Sequence, residues 1–167
     1  MLSVILAIPI LGALLILQTA VASNITMLQG TVDLILLAII AWALQNRVQT
    51  AWQWGVIGGL MVSFVSGLPY LIPLISYLAA VGLALVLRQR VWQVPILAMF
   101  LTTFISTIFM HALSVLGLRL TGASISPLLA LETVTIPSIF MNLLVGIPIF
   151  ALLGELAGWL FPEELEV

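Results

Sequence analysis

Six apolar stretches follow one another along the chain, separated by short polar breaks, and this succession constrains the fold more tightly than any other feature. The first, Leu2 to Ala22, is interrupted only by Ser3, Gln18 and Thr19. Thr31–Gln45 follows the Leu28-Gln29-Gly30 break, and Ala51–Gly67 follows the turn at Arg47. Leu71–Leu87 is stopped by Arg88-Gln89-Arg90 and Pro95–Leu118 by Arg119. The last runs from about Ile136 to Leu160, with Pro148 as an expected kink and the acidic tail Pro162–Val167 behind it. A spanning helix needs about 20 apolar residues, so the second and third stretches are short. Tilt, local thinning or a re-entrant hairpin accommodates them. The pattern predicts an all-α integral membrane protein, a compact six-helix transmembrane bundle forming a single polytopic domain over residues 1–167.

Charge scarcity rules out a water-soluble surface: 6% of residues are charged, against about 25% in globular domains. There are four arginines, no lysine and six carboxylates, with no basic block to hold nucleic acid or to select anionic headgroups. The absence of cysteine excludes disulfides and thiolate metal sites. Ala20-Val21-Ala22 resembles a signal-cleavage site, yet nothing basic precedes the first stretch, which is longer than a signal core; it reads as a retained helix. Arg47, Arg88 and Arg90 fall on one side and Arg119 on the other, so the positive-inside rule places both termini in the cytoplasm. Trp42, Trp52, Trp54, Trp92 and Trp159 lie near the expected cytoplasmic ends, as an interfacial aromatic belt would. Ser126-Pro127 has the form of an N-cap followed by proline at the first helical position, where a short interfacial helix is expected to start.

Gly55, Gly59, Ser63 and Gly67 recur every four residues, lining one face of the third stretch with small side chains that admit another helix backbone. Packing within the chain is the first reading and a docking groove for a partner's membrane helix the second. Gly154 and Gly158 repeat the motif in the last stretch. Thr103, Thr107 and His111 form an intramembrane polar stripe beside Thr102, Ser106 and Ser114. A lone histidine, with no second one to share a metal, is expected to be a hydrogen-bonded bundle residue. A hydrolase dyad of His111 with Ser63 or Ser66 lacks a nucleophile turn and an oxyanion hole. Asp33, Arg119 and Glu132 share the external side, where they are expected to pair or to line a polar pocket. Glu155 joins Asn142 only if the last helix turns both to one face. No cofactor motif, catalytic residue or metal site is apparent.

The run Asp33-Leu34-Ile35-Leu36-Leu37 through Arg47-Val48 to Gly55-Val56-Ile57-Gly58-Gly59-Leu60 and Ser66-Gly67 resembles MreD, the rod shape-determining membrane protein family. Phe140-Met141-Asn142-Leu143-Leu144 followed by Pro148 is similar to the closing helix of that family. Gly30-Thr31-Val32 stands where the family has a proline, and Ser63 where it has an acidic residue. The resemblance implies a non-enzymatic scaffold in the bacterial inner membrane that supports cell elongation and lateral peptidoglycan synthesis. Its implied direct partner is MreC, with MreB, RodA and a class B penicillin-binding transpeptidase in the wider assembly. It also implies a fold similar to the substrate-binding subunits of energy-coupling factor vitamin transporters, which are the alternative function. That alternative expects an external pocket lined by groups such as Asp33, Arg119 and Glu132.

Overall fold

The computed structural model describes residues 2–22, 29–90 and 94–162. Among them all regular structure is helical: α1 (Leu2–Ala22), α2 (Leu34–Ala43), α3 (Ala51–Val65), α4 (Leu71–Arg90), α5 (Pro95–Leu120), the single turn α6 (Pro127–Ala130), a π-helical turn (Leu131–Thr135) and α7 (Ile136–Leu160). Four helical segments are long and apolar enough to cross a membrane: α1, α4, α5, and α6 to α7 taken together. The chain is thereby marked as a multi-pass membrane protein. The expected stretch 71–87 extends to Arg90, because the arginines sit in the last helical turn rather than after it, where they complement the negative end of the helix dipole.

The short α2 is the centre. All ten of its residues are buried, and it packs against α1, α3, α4, α5 and α7. At 1.5 Å per residue it measures about 15 Å, half the hydrocarbon thickness of a bilayer. Lipid could not satisfy the free N–H and C=O groups at its ends, so the protein supplies partners for them. At the N-terminus the Leu36 N–H donates to Asp33 Oδ1 (2.9 Å) and the Ile35 N–H to Gln18 Oε1 (3.4 Å). Beyond the C-terminus, Arg88 Nη1 donates to the carbonyls of Ala43, Gln45 and Val48 at 3.1, 2.7 and 3.1 Å. An acid at the positive end and a guanidinium at the negative end also match the helix dipole.

These bonds fix helix directions. Tyr77 meets Asp33 and Arg88 meets Ala43, so α4 runs parallel to α2. Asn142 meets Asp33 and Gly154 faces Gln45, so α7 does too. Ser3 meets Trp54 while Gln18 meets Ile35, so α1 runs opposite to α2. One end of the molecule therefore gathers Ser3, Trp42, Trp54, Arg88 and Phe161. The other gathers Gln18, Asp33, Tyr77 and Asn142.

Glycines set the closest approaches. A Cβ on Gly59 would lie 2.9 Å from the Leu74 Cα and one on Gly55 2.8 Å from Val81 Cγ2, so α4 occupies the small-residue face of α3. Gly58, on another face, admits Ile39 and Ile35 of α2. Gly58 falls outside the four-residue register of Gly55, Gly59, Ser63 and Gly67.

The tryptophans divide. Trp52 and Trp159 are exposed, whereas Trp42 and Trp54 are fully buried and stack at 4.4 Å with planes 19° apart. The aromatic-belt expectation is wrong for this pair. Their indole N–H groups are satisfied inside the protein, Trp54 donating to the Ser3 carbonyl (2.9 Å) and Trp42 to Thr50 Oγ1 (3.3 Å), so neither needs the headgroup layer. Trp92 and the tail 163–167 lie outside the described residues.

Candidate functional site

Two polar regions lie toward the Asp33 end, built on opposite principles. The first is a junction of α2, α4, α5 and α7. Asp33 precedes α2 as its N-cap, and Tyr77 Oη, on fully buried Tyr77, donates to its carboxyl oxygens at 2.9 and 3.1 Å. The Asp33 N–H donates to Asn142 Oδ1 (2.8 Å), and Asn142 Nδ2 donates to Thr107 Oγ1 (3.1 Å). Ser138, one turn before Asn142, accepts from the Thr31 N–H (3.0 Å). Gly30 permits that approach, since a Cβ there would lie 2.5 Å from Pro137 Cβ. Every bond links two elements, and the carboxyl group is filled by its own chain.

This arrangement corrects the expected external cluster. Asp33 turns inward to cap α2 and bind Tyr77, while Arg119 and Glu132 are exposed, and none of the three pairs with another. Separation is cheaper, because Asp33 gains three hydrogen bonds inside whereas exposed charges at helix ends keep their hydration. Glu155 does not join Asn142 either. Thirteen residues along an α-helix place them on different faces, and Glu155 is exposed while Asn142 is buried.

The second region is a cavity of about 530 Å³ between the far half of α5 and the α6–π-turn segment. Ser126 caps α6, accepting from the Leu129 N–H, with Pro127 at the first helical position. The helix then widens into the π turn, a distortion that sequence periodicity does not reveal. That turn carries Thr135 to His111, whose Nδ1 lies 3.1 Å from Thr135 Oγ1. Thr135 itself donates to the Ala130 carbonyl (3.2 Å), and a hydroxyl has one hydrogen. With that hydrogen assigned to the Ala130 carbonyl, His111 Nδ1 is the donor to Thr135 and Nε2 carries the lone pair. A second crevice of about 370 Å³ lies on the other side of α6 and shares His111, Val115, Ala130 and Thr135 with the first. Arg119 lines that second crevice, and Glu132 lines neither.

The remaining candidates fall elsewhere. Thr102 donates to the Ala98 carbonyl and Ser114 to that of Met110, both at 2.7 Å, while Thr103 and Ser106 are buried with no partner. Ser63 Oγ lies 2.6 Å from the Gly59 carbonyl oxygen and 2.7 Å from that of Tyr70, ending the turn between α3 and α4, so it forms no dyad with His111. Gly67 faces open space. Gly154 and Gly158 border a small cavity with Gln45, Asn46 and Arg47, and Gly158 has no atom within 4 Å of where its Cβ would lie. Neither glycine makes the close helix approach expected of it. Among the described residues no group of three or more His, Asp or Glu side chains could hold a metal ion.

Comparison with protein-family models, with curated proteins and with solved structures finds no match for this chain.

Proposed function

We propose that this protein is a non-enzymatic scaffold of the bacterial cell-elongation machinery. In this reading it crosses the inner membrane six times with both termini in the cytoplasm, binds MreC, and helps organise lateral peptidoglycan synthesis with MreB, RodA and a class B penicillin-binding transpeptidase. The observation that carries the reading is the contact between Asp33 and Asn142. These residues belong to two of the three segments that resemble MreD by motif, the second stretch and the closing helix, and they meet through one 2.8 Å hydrogen bond. Motif residues whose partners are one another fit a framework role better than a catalytic one. Two further features agree with a platform: the ends of α2 are locked by Asp33 and Arg88, and the outer helices present broad apolar surface, including Phe64, Phe140 and Leu144. Because α4 already fills the Gly55–Gly59 face, a partner helix docks elsewhere on the exterior.

The alternative, a substrate-binding subunit of an energy-coupling factor type vitamin transporter, draws on the 530 Å³ cavity near the Asp33 end. Its lining has no carboxylate or arginine, which fits most charged vitamins poorly. Co-expression of the full chain with tagged MreC, followed by solubilisation and affinity purification, tests the scaffold. Retention of the chain on MreC is expected. A monodisperse, folded chain that does not co-purify, together with thermal stabilisation by one vitamin in a ligand screen, would replace the scaffold with the transporter subunit.

A further inference from the structure

We propose that the cavity beside His111 binds a neutral, hydroxyl-bearing lipid of the acylglycerol class, whose hydroxyl donates to His111 Nε2. The inference does not depend on the scaffold reading. It begins from a census of hydrogen-bond capacity. Ser114 donates to the Met110 carbonyl (2.7 Å), Thr133 to that of Leu129 (2.7 Å) and Thr135 to that of Ala130 (3.2 Å). Three hydroxyl hydrogens of the lining are thereby assigned to helix carbonyls, an assignment in which His111 gives its own to Thr135. What these groups leave open is lone pairs, with the Nε2 lone pair the strongest base among them. Gln29, Ser124 and Ser126 complete the polar lining and add N–H and O–H donors, the Ser126 oxygen accepting from the Leu129 N–H. A matching ligand both donates and accepts, which an alcohol does without carrying charge. Charge is disfavoured in the larger cavity, whose own lining has no ionised side chain, Arg119 lying in the adjoining crevice, and whose apolar walls include Leu68, Met110, Leu118 and Leu129.

The route of entry selects a lipid over a water-soluble polyol. The second crevice meets the first at His111; Ile108, Leu116 and Leu131 give it exposed apolar walls, and Arg119 lines it as well. An acyl chain lying there leaves its glycerol end at the imidazole. The volume of about 530 Å³ is in the usual range for small-molecule sites.

The test uses the full chain in phosphatidylcholine nanodiscs with a monoacylglycerol bearing a diazirine in its acyl chain. After photolysis, labelling is mapped by mass spectrometry. Labelling concentrated on 108–135 is expected, displaced by excess unlabelled monooleoylglycerol but not by oleate or by the acetonide that blocks both glycerol hydroxyls. His111→Phe, which keeps the ring volume and removes the acceptor, should lower labelling roughly three- to tenfold, the worth of one hydrogen bond. Leu118→Trp, which fills the cavity and leaves the His111–Thr135 bond alone, should lower it as well. Uniform labelling of all helices, equal displacement by the acetonide or oleate, or full labelling of a folded His111→Phe protein would overturn the proposal. If either variant misfolds, the competition pattern on the unaltered chain decides.

Discussion

The Asp33 junction and the His111 cavity both set polar side chains among membrane helices, and they differ in where those side chains spend their hydrogen-bonding capacity. At the junction, Asp33, Tyr77, Asn142 and Thr107 bind one another across four helices, so the polar atoms act as fasteners. At the cavity, Ser114 and Thr133 bond back to their own helices and His111 binds one neighbour, so the polar atoms join little and leave capacity open. The junction should therefore govern stability and the cavity should govern binding.

The largest effect expected is from Asp33→Ala, which removes the cap of α2 and strands the Tyr77 hydroxyl. A loss of roughly 2–4 kcal/mol is expected, combining an N-cap with an unsatisfied buried donor. Reversible denaturation in mixed micelles measures it, and a loss below that of any cavity variant would break the comparison. Tyr77→Phe tests the junction more finely, since it deletes only the hydroxyl. About 1–2 kcal/mol should be lost, less than for Asp33→Ala because the cap survives. Smallest in stability should be His111→Phe, at about 0.6 kcal/mol, the average for one interhelical hydrogen bond in a membrane protein. If its unfolding midpoint falls as far as that of Tyr77→Phe, His111 is a fastener too and the distinction collapses.

Much of the helical layout was legible because lipid makes a simple demand: apolar residues run until a polar break stops them. The bounds of α1 and α7 and the cap at Ser126 follow from that demand and from cap chemistry. Position in sequence was less informative about polar partners. Asp33, Arg119 and Glu132 lie on one side of the expected topology, yet Asp33 finds Tyr77, a residue no sequence pattern had marked. Trp42 and Trp54 were read from their nearness to span ends, whereas their burial depends on Ser3 and Thr50 being there to accept their N–H groups. The π turn that brings Thr135 to His111 has no signature in residue spacing, so the contact between the two became visible only in three dimensions.

The closures at the two ends of α2 also set an order of events. Arg88 reaches back 45 residues to the Ala43 carbonyl, and Asn142 reaches back 109 residues to the Asp33 amide. During synthesis the second helix emerges long before either group exists. It cannot hold its complete set of partners until the last helix has been made, so the innermost part of this protein is also among the last to be finished.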